Sequence, residues 1–244
     1  MKALSGMDER RSSTDVSIVV PVLNEAALIR QFLMHLRERA PGAEIIVVDG
    51  GSTDTTAKIA EESGARVMHA RRNRAVQMNA GAQIARGDIL WFLHVDLTVP
   101  AGCLDQIACS LADPKTVGGF FRIRLPRPGF IYRLTDEFAH YAGILLRMRC
   151  GDHGFFCRRR DFFALGGFPE VPLMEDVAFF RLLRRRGHVC VSKTRIVAND
   201  RRYQVVGPTR LTFAYGLIGL LYIFGASLSF LSRIYDRLCC RRHA

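Results

Sequence analysis

The stretch Glu44–Asp54, EIIVVDGGSTD, limits what this chain can fold into more than any other. Its apolar run, Ile45–Val48, has no polar alternation, which is typical of a parallel strand covered on both faces. Gly50 and Gly51 predict a tight turn at the carboxyl end of that strand, and the Ser-Thr-Asp sequence predicts a helix start. Ligands of open α/β sheets bind at this edge, so Asp49 is a candidate binding residue, with helix capping as the alternative.

Strand and helix patterns alternate through the first half of the chain, with short connections between them. The other predicted strands lie at 16–23, 65–70, 89–93 and 117–124, and the predicted helices at 24–39, which Asn24 can cap, at 55–63 and within 71–85. This order is typical of right-handed parallel crossovers. The sequence therefore predicts a mixed, mostly parallel α/β sheet flanked by helices over residues 16–205.

The second half of the chain contains shorter patterns. They predict a helix at 130–148, a turn and strand at 151–157, a helix from Met174 to 186, short strands at 189–191 and 195–198, and a polar loop at 201–204. Residues 1–15 lack the apolar core of a secretion signal, and they predict a disordered tail.

Residues 206–244 predict a hydrophobic helical appendage, dominated by the uncharged segment Leu211–Leu231. This segment is long enough to span a bilayer. Arginines flank both of its ends, however, which gives a single span no preferred direction. Small residues also recur near one helical face, as in helix-packing surfaces. Two interpretations stay open: a membrane-embedded or interfacial segment, and a buried or dimerising helix.

The net charge of +12 is concentrated in the second half of the chain. Lysine and arginine number 13 against 14 acids in residues 1–120, 18 against 8 in 121–210, and 4 against 1 beyond. Such an excess can meet nucleic acid, anionic lipid or a phosphate-bearing substrate, but no recognition-helix, RNP or zinc pattern supports nucleic acid. The seven cysteines have no C-x-x-C spacing, which argues against a disulfide framework and predicts a reducing, cytoplasmic location.

A second strand-end acid follows the strand at 89–93, within the sequence HVD at 94–96. The order of HVD, of the earlier VVPVLNE, VVDGGSTD and NAG, and of the later GGF and Glu175–Asp176 resembles the family 2 glycosyltransferases, which have a GT-A fold. The match runs from about residue 16 to 200. The stretches RRNRAVQMNAGA, FLHVDLTVP and GDHGFF resemble a bacterial subgroup described as radical-SAM/selenodomain-associated or arsenosugar-biosynthesis glycosyltransferases.

The resemblance implies a UDP- or GDP-linked sugar donor that lies over the carboxyl ends of the first strands. Asp49 would accept hydrogen bonds from the base, and Asp54 would be the second acid of that loop, with simple support of the helix start as the alternative. The other residues that the resemblance and the chemistry suggest for the nucleotide and its diphosphate are Pro21, Glu25, Arg71, Arg74, Asn79, Arg201 and Arg202. The fork geometry of arginine fits diphosphate oxygens, although most arginines of so basic a chain must be solvated surface.

Asp96 matches the last acid of the family's D-x-D metal motif, whereas His94 replaces the first. A diphosphate leaving group needs a divalent cation, because negative charge accumulates on it as the glycosidic bond breaks. One carboxylate with an imidazole shifts the expectation toward Mn²⁺ over Mg²⁺. A purely structural role for His94 is the alternative.

Glu175–Asp176 resembles the family's acid pair, in which the aspartate takes the proton from the acceptor hydroxyl. Glu175 would orient or bind the acceptor, and Asp152 would lie near the acceptor and donor sugar. Acids in the first turn of a helix are also favoured electrostatically without any catalysis.

These features predict a metal-assisted, inverting glycosyltransferase that acts on an acceptor hydroxyl, which can be lipid-linked, at the cytosolic face of a bacterial inner membrane or in the cytoplasm. The alternative is a nucleotide-binding module or partner subunit of the same fold without turnover.

Overall fold

The computed structural model describes residues 15–127, 129, 130, 132, 133, 137 and 153–239, with the side chain of Arg202 left out. Almost all of the predicted N-terminal tail, most of the predicted helix at 130–148 and the candidate Asp152 lie outside these described residues.

The strands of the described chain form one mixed sheet of eight strands in the order β3-β2-β1-β4-β7-β6-β8-β5. The strands are β1 (Val16–Val22), β2 (Glu44–Asp49), β3 (Arg66–His69), β4 (Ile89–Phe92), β5 (Leu97–Thr98), β6 (Thr116–Arg124), β7 (Phe156–Arg158) and β8 (His188–Ala198). The first four are parallel to one another, β6 is parallel to β8, and β7 and β5 pair antiparallel with their neighbours. The carboxyl ends of β1, β2 and β4 therefore share one edge.

Helices cover both faces of the sheet. They are α1 (Ala26–Arg39), α2 (Thr56–Glu62), α3 (Arg74–Ile84), α4 (Cys103–Ala112), α5 (Arg159–Ala164), α6 (Glu175–Arg186), α7 (Arg201–Val206), α8 (Pro208–Ile223) and α9 (Leu228–Cys239). In β2, Ile45 and Val47 belong to the buried cluster that also contains residues of α1, α2 and α4, while Ile46 and Val48 belong to the cluster that contains residues of α3, α5 and α6. This two-sided burial confirms the interpretation of the uninterrupted apolar run.

The predicted apolar segment Leu211–Leu231 is not one helix. Gly225 adopts φ +80° and closes α8, because its amide donates to the Tyr222 carbonyl at 3.1 Å and the Ala226 amide donates to the Leu221 carbonyl at 3.0 Å. These two bonds are the Schellman motif, a common helix stop. Among the described residues, no helix combines the length and the apolar character that are needed to cross a bilayer.

Four further expectations differ from the structure. Asn24 does not cap α1, since it adopts φ +54° and α1 is preceded by Glu25. The two short strands expected near 189–198 are one strand, and the polar loop at 201–204 is the short helix α7. The sequence patterns also missed α4, α5 and β5. The buried apolar residues of these elements belong to the two core clusters on either side of the sheet.

Candidate functional site

Asp49 stands at the last position of β2, directly opposite Val22 of β1, and is 2% exposed. Its Oδ2 accepts hydrogen bonds from the amides of Gly51 and Ser52 at 3.0 Å each, and its Oδ1 accepts one from the Ser52 hydroxyl. His69 Nδ1, at the end of β3, lies 3.3 Å from Oδ2. Burial raises the pKa of Asp49, but the hydrogen bonds from Ser52, Gly51 and His69 together hold it below its usual value. Asp49 is therefore an ionised acceptor that shapes the loop after β2.

The loop after β1 is tied to the loop after β2 by side-chain contacts. The Asn24 amide donates to Ser52 Oγ at 2.9 Å, and Asn24 Oδ1 accepts from the Thr53 amide at 2.8 Å. Asn24 can hold its left-handed backbone because short amide side chains tolerate that region. The two loops therefore form one continuous rim beside Asp49.

Asp54 joins the starts of two helices. Its Oδ2 accepts from the Ala26 amide of α1 at 3.2 Å, and its Oδ1 accepts from the amide of Thr56 at 2.9 Å and from the Thr56 hydroxyl. These bonds, with the Thr56 hydroxyl first among them, lower the pKa of Asp54. Asp54 thus supports the starts of α1 and α2, as its simpler interpretation predicts. The ionised carboxylate is the form that accepts these hydrogen bonds.

Glu25 and Arg201 meet across the same edge. Glu25 Oε2 lies 3.9 Å from Arg201 Nη2, and the Glu25 amide donates to Thr56 Oγ1 at 2.8 Å. Pro21 is the next-to-last residue of β1, where its missing N–H does not interrupt the pairing with Val48. The contact brings the start of α7 close to the ends of β1 and β2.

Gln77 is a site residue that the sequence patterns did not identify. It is 5% exposed on α3, and its Nε2 donates to the carbonyls of Val22 at 2.9 Å and Val48 at 2.8 Å. Val22 is the last residue of β1 and Val48 the next-to-last residue of β2, so Gln77 holds the two strand ends together. The other buried residues of α3 are Ala75, Met78, Gly81 and Ala82. A polar side chain among such small and apolar residues is the sequence signal that could have identified Gln77.

Asn79 makes two bonds to one residue of the GGF loop. Its Nδ2 donates to the Phe168 carbonyl at 2.8 Å, and its Oδ1 accepts from the Phe168 amide at 2.8 Å. Both polar atoms of the side chain are therefore used to hold this loop against α3. The structure gives Asn79 a positioning contact, whereas the sequence suggested it for the donor.

His94 and Asp96 follow the end of β4, in the segment that leads to β5. The His94 carbonyl accepts from the Leu97 amide at 3.2 Å, and the Asp96 carbonyl accepts from the Asn199 amide at 3.1 Å. Within the described ranges, no group of three or more His, Cys, Asp or Glu residues is arranged to hold a metal ion. The side chains of this segment that could hold a metal ion are the imidazole of His94 and the carboxylate of Asp96.

The acid pair Glu175–Asp176 forms the first turn of α6. Met174, just before it, adopts φ +65°, an unusual conformation for a side chain of this size that typically costs about 1 kcal/mol or more. Glu175 is 5% exposed, and its Oε1 lies 3.4 Å from Arg74 Nη1 but has no hydrogen-bond partner in the described part of the chain. Asp176 Oδ1 accepts from the Val177 amide at 2.7 Å. The pair therefore places one buried and one partly exposed carboxylate at the positive end of a helix dipole.

One pocket brings the candidates from three elements together. Arg74 of α3, His94 after β4 and the pair Glu175–Asp176 of α6 all line it. The rest of its lining is apolar and largely aromatic, and these side chains are buried in the core: Met78, Phe92, Phe120, Phe155, Phe168 and Phe180. Carboxylates beside buried apolar side chains interact more strongly with a bound cation or hydroxyl than they would in open water.

Asp49 lies two strands away from this pocket along the same edge, since β1 separates β2 from β4. Neighbouring strands are about 4.8 Å apart, so Asp49 is about 10 Å from the end of β4. An extended ligand with a planar polar group at one end and an anionic group at the other can bridge such a span.

For three of the residues that the sequence suggested, the described part of the structure shows no contact with the pocket or with the rim beside Asp49. Arg71 Nη2 pairs with Glu170 Oε2 at 2.8 Å, with both side chains more than half exposed. The side chain of Arg202 and the whole of Asp152 lie outside the described residues.

Two features lie at one edge of the parallel strands: the ionised acceptor Asp49 at the end of β2, and the carboxylate pocket next to the end of β4. They are typical of the α/β proteins that bind nucleotide-type ligands at the carboxyl ends of their strands. The model of glycosyl transferase family 2 matches residues 17–188. The chain therefore belongs to this family.

Sequence relatives agree with this family. The chain is 24% identical over 217 residues to the pre-mycofactocin glycosyltransferase of Mycobacterium tuberculosis, covering 80% of this chain and 44% of that protein. It is 38% identical over 106 residues to the PGL/p-HBAD biosynthesis glycosyltransferase of Mycobacterium bovis, covering 40% and 41%. The chain thus spans less than half the length of these relatives.

Solved structures share the fold. A mannosyltransferase from Pyrobaculum calidifontis in complex with GDP-Man and Mn²⁺ superposes with a TM-score of 0.61 at 21% identity, covering 93% of this chain and 70% of that one. Glucosyl-3-phosphoglycerate synthase from Mycobacterium tuberculosis, in complex with Mn²⁺, UDP-glucose and phosphoglyceric acid, gives a TM-score of 0.59 at 22% identity, covering 88% and 81%. The predicted mixed α/β fold of GT-A type is confirmed.

Proposed function

We propose that this chain is an inverting glycosyltransferase that moves a sugar from a nucleotide diphosphate to an acceptor hydroxyl in a single displacement. The observation that carries the proposal is the shared pocket of Arg74, His94, Glu175 and Asp176, at the strand edge that also ends in Asp49. Carboxylates from two distant parts of the chain are thereby available to the two ends of one extended ligand.

The donor would lie along the edge from β2 to β4. The rim beside Asp49 would receive the base. Asp49 Oδ2 is engaged by two backbone amides of its loop, so Oδ1, which accepts from the Ser52 hydroxyl, is the oxygen that would also accept from the imide of uracil or from the N1–H and amino group of guanine. The solved relatives hold GDP-Man or UDP-glucose, which supports a UDP or GDP donor. Arg74, which lines the pocket, and Arg201, which lies 3.9 Å from Glu25, are the described arginines that would hold the donor's diphosphate.

A divalent cation would be held by His94 and Asp96. Two protein ligands fit a cation that takes its remaining oxygens from a substrate diphosphate, which is a common arrangement for Mg²⁺ and Mn²⁺. The imidazole favours Mn²⁺, and both ions occur in the solved relatives. When bound, such a cation would stabilise the charge on the departing nucleoside diphosphate.

Asp176 would accept the proton of the acceptor hydroxyl as its oxygen attacks the anomeric carbon. Glu175 is buried with Oε1 lacking a hydrogen-bond partner among the described residues, so it would accept a hydrogen bond from the acceptor or the sugar and orient it. General-base help of this kind is worth roughly 10²–10⁴ in rate.

The test compares Asp176→Asn with Asp105→Asn. Asp105 is a matched control because it is also an acid in the first turn of a helix, α4, but on an exposed surface. With Mn²⁺ and each nucleotide sugar, we expect Asp176→Asn to lower kcat by roughly 10²–10⁴ while donor affinity in a thermal-shift titration is unchanged. A kcat equal to that of the control would refute the role of Asp176.

The second candidate function is a nucleotide-binding module without turnover. The replacement of the first acid of the metal motif by His94, in a described chain without a three-ligand cluster, favours it. Wild-type protein that is stabilised by one nucleotide-sugar series, yet releases no nucleoside diphosphate with Mn²⁺ and a panel of acceptors, would establish this alternative.

The acceptor class follows from the charge and apolar surface of the second half of the chain. The excess of lysine and arginine after residue 120 and the exposed apolar side chains of α8 fit a lipid-linked or phosphorylated acceptor. The stretches RRNRAVQMNAGA, FLHVDLTVP and GDHGFF support membership of the arsenosugar-type bacterial subgroup.

A further inference from the structure

The two C-terminal helices expose large apolar side chains around the turn that joins them. Phe224 is 79% exposed, Leu220 52%, Phe230 44% and Ile223 40%. We call these four residues the hairpin tip. Phe213, 70% exposed, extends the apolar surface along α8, because residues 213, 220 and 224 are seven and four positions apart and share one helical face.

The opposite side of this helical pair is firmly packed. Leu211, Ala214 and Ile218 of α8 and Leu231 of α9 are buried in one cluster. Arg181 of α6 also donates to the Tyr222 hydroxyl at 3.4 Å, and its guanidinium lies 4.8 Å from the centre of that ring. α8 is apolar on its outer face as well as on its packed face. Packing against the domain explains the apolar residues of the packed face but not those of the outer face.

Exposed arginines lie next to the apolar tip. Arg233 and Arg237 are exposed on α9, about 4.5 Å and 10 Å along the helix axis from Phe230. Arg210 is also exposed, but it lies at the start of α8, about 20 Å along that helix from Phe224. Interfacial helices enter a bilayer to a depth of about 5–10 Å. The distances from Phe230 to the two arginines of α9 along the helix axis are similar to this depth. Long arginine side chains reach from such a depth to the headgroups.

We propose that the hairpin tip inserts into the surface of an anionic lipid bilayer, with Arg233 and Arg237 at the level of the phosphates. A second copy of the chain fits this surface less well, because a two-fold contact would bring the same arginines of both copies together. Anionic headgroups complement them. The inference goes beyond the proposed activity, since it concerns a surface that contains none of the pocket residues.

The experiment is co-sedimentation of the full chain with two kinds of vesicle, pure phosphatidylcholine and phosphatidylcholine mixed with phosphatidylglycerol. We expect pelleting with the anionic vesicles at low salt, little pelleting with the neutral ones, and a partial decrease at high salt. No catalysis is measured, so the outcome is separate from that of the activity test. Wild-type protein that stays in the supernatant with anionic vesicles at low salt would overturn the proposal.

Two variants identify the surface. Phe224→Glu with Phe230→Glu should lower vesicle affinity by roughly tenfold or more, because two apolar anchors are lost. The matched control is Met34→Glu with Phe163→Glu, which adds the same two negative charges at exposed apolar residues of α1 and α5, 59% and 41% exposed, and should bind as the wild type does. Equal binding by the double variant would overturn the proposal. So would a wild-type dimer that the double variant converts to a monomer, because the tip would then be an interface between copies.

Discussion

Gly81 is the position at which one methyl group gives the sharpest test of how α3 holds the site. A Cβ at Gly81 would lie 2.4 Å from Val19 Cγ1 and 2.9 Å from Val48 Cγ2. Carbon atoms in contact prefer separations near 3.5 Å, so α3 would have to move by about 1 Å away from β1 and β2. Both valines are fully buried and β-branched, which leaves them little freedom to turn away.

The free energy of unfolding should fall in Gly81→Ala. Overpacking a core typically costs about 1–3 kcal/mol, and the better helix propensity of alanine returns up to about 1 kcal/mol. We expect a net loss of about 1–2 kcal/mol and a Tm lower by about 2–8 °C. The same shift would displace Arg74, Gln77 and Asn79, so activity should fall by more than stability alone explains.

Gly216→Ala is the matched control. Gly216 lies inside α8, and a Cβ there would meet nothing within 4 Å. The same substitution should therefore stabilise the protein by about 0.5–1 kcal/mol and leave activity unchanged. Thermal unfolding of both variants gives the comparison. If Gly81→Ala is as stable as Gly216→Ala, α3 does not pack on the strand ends as described.

Three further predictions concern single contacts. Asn79→Ala should cost about 1–3 kcal/mol in urea unfolding, because the amide and carbonyl of Phe168 lose their partner; an unchanged midpoint would contradict this. Burial raises the pKa of Glu44, but hydrogen bonds from Ser17, Arg86 and Arg66 bring it below 4.5. Its ionised form therefore stabilises the fold above about pH 4.5, and this contribution disappears as the pH falls through the lowered value. Denaturation between pH 3 and 6, roughly the range around that pKa, should show a flatter pH dependence in Glu44→Gln than in the wild type, and parallel curves would refute the assignment. Burial raises the pKa of Cys103 to about 12 and that of Cys157 well above the usual value, whereas Cys109 is exposed. Peptide mapping after treatment of native protein with a thiol reagent should find Cys109 modified and the other two only after unfolding.

The positions of the strand-end acids could be predicted because they depend on local sequence alone. A run of β-branched residues such as Ile45–Val48, followed by Gly50 and Gly51, is typical of a covered strand, and the residue at its end then lies at an edge of the sheet. Parallel order then places Asp49 and the segment at 94–96 on the same side. This reasoning needs no knowledge of which side chains touch.

The contacts that hold the site could not be predicted in the same way. Asn79 and Phe168 are separated by 89 positions, and Gln77 bonds to strands 29 and 55 positions away. The sequence marks these residues only as polar side chains on a helix. Apolar counting also missed the end of α8, because a count treats Gly225 as one more uncharged residue, whereas its backbone freedom is what stops the helix.

Among the described residues, the non-glycine residues with a left-handed backbone are Asn24 and Met174, and both border the candidate site. Such conformations persist only where surrounding contacts fix them. The side chain and amide of Asn24 bond to the loop after β2, whereas Met174 packs against the C-terminal cluster that contains Leu211 and Leu231. The start of α6, and with it Asp176, is therefore held by the α8–α9 pair as well as by the sheet. The inner side of the hairpin that we propose to contact the lipid surface therefore also helps to position the proposed catalytic base, through Met174.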